Sequence, residues 1–137
     1  MTPVQKLEVF IGNWKTEGQT TTGEKISGTD SYEWFPGGHF VQHHVNVHMG
    51  SQQMIGLEMI GYDATTGKYP MHFYDNQGNN TISQGTEQNG AWTFTGEKER
   101  GTFTFNKDNT IFSGTWEGSE NGKDWAPIMD IKLIKIP

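Results

Sequence analysis

Apolar and polar residues alternate along most of this chain. In the stretch from 41 to 48, Val41, His43, Val45 and Val47 fall on one parity, and Gln42, His44, Asn46 and His48 on the other. Successive strand side chains point to opposite faces, so the valine parity is expected inside. The same rule sends Ile55, Leu57 and Met59 inward and Glu58 outward. It also sends inward Tyr69, Met71 and Phe73, then Trp92 and Phe94, Phe103 and Phe105, Phe112 and Trp116, and Met129, Ile131 and Leu133. Tyr32 and Trp34 oppose Glu33 and join the inner set, whereas His72, beside Pro70, falls on an outward face.

Turn residues punctuate these runs at Thr22-Gly23, Pro36-Gly37-Gly38, Asp63 to Gly67, Asn76-Gln77-Gly78, Asn89-Gly90, Lys107-Asp108-Asn109 and Asn121-Gly122. Asn-Gly between alternating runs is a strong hairpin signal, because both residues tolerate positive φ. The spacing predicts antiparallel strands near 13–20, 25–35, 39–49, 53–62, 68–75, 80–86, 91–97, 101–106, 110–117 and 126–136, joined as a meander. Such a series packs as two sheets or closes into a barrel, and closure removes the exposed edges. The expected fold is all-β: one up-and-down antiparallel barrel of about ten strands, filling residues 1–137 as a single domain. Helical spacing occurs only at the start, where Val4, Leu7 and Phe10 or Ile11 follow a capping Thr2 and Pro3. Between that helix and the sheet stands Gly12-Asn13-Trp14-Lys15-Thr16-Glu17-Gly18. Its indole can lie across one end of a closed sheet.

Composition narrows the partners. Sixteen acidic residues against ten basic ones give a net charge of -6, which argues against nucleic acid or an anionic membrane as partner. The absence of cysteine excludes disulfides, thiolate catalysis and zinc–thiolate sites and fits a reducing compartment. Residues 1–6 show no basic segment leading into an apolar run, and no run approaches membrane-spanning length. A soluble, cytoplasmic protein is the expectation. A hydrophobic fraction of 32% is low for a solid core and points to a partly hollow interior, although a short-stranded barrel with much surface gives the same figure.

A short helix, Gly12-Asn13-Trp14 and an antiparallel meander together resemble the calycin superfamily of lipocalins and fatty-acid-binding proteins. The chain more closely resembles a bacterial family of uncharacterised lipocalin-like proteins, classed as a domain of unknown function. That resemblance rests on the segment 12–18, on Tyr32-Glu33-Trp34-Phe35-Pro36-Gly37-Gly38 and Ile60-Gly61-Tyr62-Asp63, and on Phe73-Tyr74-Asp75-Asn76-Gln77-Gly78. Gly114-Thr115-Trp116-Glu117 and Asp124-Trp125 extend it towards the C-terminus. It implies a barrel with an interior sized for a small molecule, Trp14 closing its floor, and no known activity. Nitrobindin-like haem barrels share a Gly-X-Trp-X-Gly-X-Gly opening. Here the middle glycine is Thr16, and no histidine follows His72 to serve as their C-terminal haem ligand.

Among candidate chemical groups, His39, His43, His44 and His48 cluster in sequence. Strand residues four apart lie roughly 13 Å from each other, too far to share one zinc without partners from a second strand. His43 is singled out as an imidazole in an apolar interior. It is either a hydrogen-bonding handle for a ligand or a buried histidine satisfied by backbone or water. Tyr32, Trp34, Trp92, Trp116 and Phe73 either line a cavity or pack as core, and Trp125 is expected over a barrel mouth. Asp63, Asp75 and Asp124 sit at turns, where aspartate caps backbone amides, and Asp130 alternates outward with Lys132. There is no Gly-X-Ser-X-Gly, phosphate-binding glycine loop or His-Glu-X-X-His.

The expectation is a carrier of a small hydrophobic molecule, held by Tyr32, Trp34, Val41, His43, Leu57 and Met59 together with Met71, Phe73, Trp92, Phe94, Trp116 and Met129. No catalytic residue, metal or cofactor is assigned. The alternatives are an isomerase or hydrolase working through His43, or a solidly packed barrel acting through its surface as a homodimer.

Overall fold

The computed structural model describes all residues, 1–137, and shows a closed antiparallel barrel of ten strands preceded by one short helix. The helix, Val4–Phe10, is of the 3₁₀ type. Its apolar residues Val4, Leu7 and Phe10 are spaced by three, the repeat that puts them on one face of a 3₁₀ turn. Thr2 Oγ1 accepts from the Gln5 amide at 3.3 Å, and Gln5 Oε1 accepts from the Thr2 amide at 2.9 Å, so the first turn is held reciprocally.

The strands are β1 (Gly12–Thr20), β2 (Lys25–Trp34), β3 (Val41–Met49), β4 (Gln52–Ile60), β5 (Tyr69–Asp75), β6 (Asn80–Gln88), β7 (Ala91–Thr95), β8 (Glu99–Phe105), β9 (Ile111–Gly118) and β10 (Ala126–Lys135). Each lies within a few residues of its predicted span. Each pairs with its sequence neighbours, and β1 also pairs with β10, so Trp14 faces Asp30 on one side and Lys135 on the other. Closure satisfies every strand edge within the chain.

The helix seals one end. Leu7, Phe10 and Trp14 are buried with Tyr32, Val41, Ile60, Tyr69, Met71, Trp92, Phe94, Phe103, Phe112 and Leu133 in one cluster. The Trp14 indole, 1% exposed, donates from Nε1 to the Phe10 carbonyl at 2.8 Å. That bond ties the first strand to the helix. Phe10 packs edge-on against Trp92, Phe105 and Phe112, with ring centres 4.9 to 5.5 Å apart, a favoured aromatic arrangement. About 10 Å³ of free space remains among Leu7, Phe10, Tyr32, Ile60, Tyr69, Met71, Trp92 and Phe94. A single water needs about that much. The expected hollow interior is therefore absent at this end, because the helix contributes two large side chains to a ring of aromatics.

One strand faces opposite to expectation. On β4, Ile55 and Leu57 are 46% and 38% exposed, and Met59 shares their outward parity. Glu58 points inward with Gly56 and Ile60. The pairing with β3 fixes this: Ile60 lies opposite Val41 and Glu58 opposite His43. Two interactions make it stable. Glu58 gains a partner in His43, and Gly56 leaves room for Phe73, whose ring lies 2.5 Å from where a Cβ would stand. The displaced apolar residues Leu57 and Ile55 join Tyr74 and Ile82 in an exposed patch across β4, β5 and β6, with Leu57 paired to Tyr74.

Candidate functional site

Five interior side chains on β1 to β3 and β4 depart from the apolar pattern: Thr16, Asp30, Tyr32, His43 and Glu58. Register brings them together. His43 stands directly opposite both Tyr32 and Glu58, while Asp30 and Thr16 follow diagonally on the next strands. Diagonal neighbours on one face are within side-chain reach.

His43 is the hub. Its Nε2 lies 2.6 Å from Asp30 Oδ1, and its Nδ1 lies 2.9 Å from Glu58 Oε1. The Tyr32 ring stacks on the imidazole with centres 3.9 Å apart and planes 7° from parallel. Thr16 Oγ1 donates to Asp30 Oδ2. Asp30 thus has one oxygen for the imidazole and one for the hydroxyl. The side chains of Asp30, His43 and Glu58 are 9%, 11% and 13% exposed, so the cluster is nearly but not fully enclosed.

Electrostatics follow from that geometry. Burial disfavours a charged imidazole, but the hydrogen bonds and charges of Asp30 and Glu58 outweigh it and raise His43 to about 9. At neutral pH His43 is an imidazolium donating through both nitrogens. The Tyr32 phenol is pushed well above 10 by burial and by the neighbouring carboxylates, and stays protonated. Two polar atoms remain free. Glu58 Oε2 and the Tyr32 hydroxyl make no hydrogen bond within the protein, and neither is sealed from solvent.

The expected ligand-lining residues separate into groups. Tyr32, Val41, Met71, Trp92 and Phe94 belong to the packed floor. Trp34 sits half-buried beside it, its Nε1 donating to Glu8 Oε2 at 2.5 Å. Phe73 is paired with Glu58, and Trp116, paired with Met129, stacks against Phe94. Leu57 and Met59 lie on the outer face and take no part in the interior. His44 and His48 are exposed on β3, His72 is exposed on β5, and no group of three or more His, Cys, Asp or Glu is arranged to hold a metal ion. Trp125 lies in the β9–β10 connection, with the Arg100 guanidinium 4.4 Å over its ring. Asp63 and Asp75 cap turn amides at 2.9 Å, as their positions suggested, and Asp130 accepts from Thr115 outside the barrel.

An open depression of about 850 Å³ lies elsewhere. It lies open on the outer face of β1, β9 and β10, among Glu17, Gln19, Ser113, Thr115, Asp130 and Lys132, and holds none of the buried titratable groups. The enclosed chemistry is at His43.

Residues 2–99 match the model of the family described as Protein of unknown function (DUF1579). The chain belongs to that family. The matched segment of this DUF1579 member carries Thr16, Asp30, Tyr32, His43 and Glu58. No curated protein matches the sequence. Among solved structures, Rv2717c from M. tuberculosis is similar at a TM-score of 0.70 and 8% identity, over 100% of this chain and 99% of that one. The S-type phycobiliprotein lyase CPES from Guillardia theta gives 0.59 and 11%, over 100% and 94%. A redesigned beta barrel, mFAP1, bound to DFHBI, gives 0.55 and 9%, over 93% and 96%. At such identities the likeness concerns the fold.

Three residues of this cluster, Thr16, Asp30 and Glu58, were not among the expected interior groups. Asp30 shares the parity of Tyr32, and Thr16 that of Trp14, so period 2 alone would have placed both inside. Glu58 was hidden by its apolar neighbours.

Proposed function

We propose that this chain is a lipocalin-like barrel that binds a small molecule in the half of its interior away from the helix, with the His43 cluster receiving the ligand's polar group. The observation that carries this reading is the cluster itself: an imidazolium between two carboxylates, with Glu58 Oε2 and the Tyr32 hydroxyl left unpartnered. A buried ion pair is seldom needed for stability, since apolar residues of similar size serve as well or better. Its presence beside unused polar atoms favours a binding role. The packed floor limits depth, so the ligand's apolar part lies towards the mouth, near Val45, Val47, Phe73, Trp116 and Met129. That similar barrels include one bound to DFHBI and a phycobiliprotein lyase lends the reading support. Native mass spectrometry of the protein as purified from cells tests it, together with Trp fluorescence during titration with apolar probes. Uptake that His43→Ala weakens and His44→Ala does not supports the site. Equal effects of the two variants remove His43 from it.

An enzymatic reading gains from the same cluster, because the interior holds two carboxylates beside the single histidine expected. Glu58, with one free oxygen, would be the general base of an isomerase. Proton exchange into a bound carbonyl compound, lost in Glu58→Gln, would favour it over simple carriage. A surface-acting homodimer finds its support in the Ile55, Leu57, Tyr74 and Ile82 patch. Sedimentation equilibrium of the protein and of Ile82→Lys decides that question.

A further inference from the structure

We infer that the polar group accepted at the His43 cluster is a hydrogen-bond donor carrying positive charge, such as a protonated amine, and not a carboxylate. The inference rests on the binding reading above and names its ligand class.

The argument is an inventory of donors and acceptors. Both His43 nitrogens are engaged, Nε2 with Asp30 at 2.6 Å and Nδ1 with Glu58 at 2.9 Å. The Thr16 hydroxyl is given to Asp30. The two strong donors of the cluster are therefore spent on its own carboxylates. What remains unpartnered is one carboxylate oxygen, Glu58 Oε2, and the hydroxyl of Tyr32, a residue 9% exposed. Two carboxylates face one imidazole, so the formal count favours an incoming cation.

No other positive group can change that count. All ten lysines and arginines lie outside the barrel wall or at its ends. Lys6 pairs with Glu87 at 2.9 Å, and Arg100 with Glu117 at 2.8 Å. Lys15, Lys25, Lys68, Lys98, Lys107, Lys123, Lys132 and Lys135 are exposed. A carboxylate headgroup at this depth would meet Asp30 and Glu58 with no free cation to pair with, and only the neutral Tyr32 hydroxyl could replace part of its lost hydration. An ammonium has three donors and can place one on Glu58 Oε2. An alcohol supplies a donor without charge and should rank between.

The test compares n-octylamine, 1-octanol and octanoate by calorimetric titration of the full chain at pH 7, below micellar concentrations. The expected order is amine, alcohol, carboxylate, with about tenfold or more between the ends. Glu58→Gln should remove most of the preference for the amine. Glu33→Gln, which deletes an equally charged but exposed group, should leave it intact. Octanoate binding as tightly as octylamine overturns the inference while leaving the binding reading standing. Equal losses in Glu33→Gln and Glu58→Gln also overturn it, since the preference would then come from the net charge. Binding by none of the three removes the binding reading and the inference together. Should Glu58→Gln not fold, the ranking on the unaltered protein decides alone.

Discussion

Asp30 and His43, diagonal neighbours on adjacent strands, bring Oδ1 and Nε2 to 2.6 Å from each other inside the barrel. Neither would be stable there without the other. A buried carboxylate or imidazolium loses several kcal/mol of hydration, and the pair survives because each lone pair or proton has a partner. Thr16 takes the second oxygen of Asp30. The Thr16 hydroxyl thus completes the pair.

The first consequence is a pH-dependent stability. His43 is raised from 6.5 to about 9 in the folded protein. A raised folded value means the proton is bound more tightly in the native state. The contribution is thus complete below about 6.5 and fades as pH climbs through about 9. The move corresponds to roughly 3 kcal/mol. Urea unfolding between pH 6 and pH 10 should show that decline in the native protein, and His43→Phe should flatten it.

Breaking the cluster at one member should cost more than dismantling it. Asp30→Ala leaves Thr16 and an imidazolium short of an acceptor and is expected to cost about 3–5 kcal/mol. Replacing Asp30, His43 and Glu58 together by Leu, Phe and Leu should recover most of that loss while abolishing ligand binding. Denaturant midpoints of the single and triple variants, with a binding titration of the triple, check both halves.

The floor gives a prediction of its own. Trp14 fills the barrel end and anchors the helix through the Phe10 carbonyl. Trp14→Ala should cost about 3–5 kcal/mol, the range for emptying an aromatic site in a packed core. Trp14→Phe keeps most of the volume but strands the carbonyl, at about 1–3 kcal/mol. Thermal or urea unfolding measures both.

The facing of β4 is testable through neighbouring residues. Leu57→Lys, on the outer wall, should change stability by no more than about 0.5 kcal/mol. Gly56→Ala, one residue away, drives a Cβ to 2.5 Å from the Phe73 ring and should be clearly destabilising. Comparable effects would mean the strand is turned the other way.

Much of this architecture was legible from alternation and turns. Val41, His43, Val45 and Val47 announce their face because only one parity is apolar, and Asn89-Gly90 takes the positive φ values its hairpin requires. The β4 strand was not legible in that way. Both of its parities carry apolar residues, Met54 and Ile60 on one and Ile55, Leu57 and Met59 on the other. The choice is made by cross-strand pairing with His43 and by the Phe73 ring, neither of which is local in sequence. The site inherited that ambiguity. His43 could be placed, but its carboxylate partners could not, because a rule that sends charges outward cannot see a charge that has a partner inside. The packed floor was likewise beyond composition, since volume depends on how rings from the helix and six strands interlock.

The most direct measurement is a ¹⁵N-edited NMR titration of the histidine rings, with His43 assigned by its Ala variant, run with and without octylamine. The account predicts a His43 ring that keeps its proton up to about pH 9 and whose nitrogens shift when the amine binds, while exposed His44 does not respond. A His43 ring that loses its proton near 6.5, or stays silent as the ligand saturates, would contradict it.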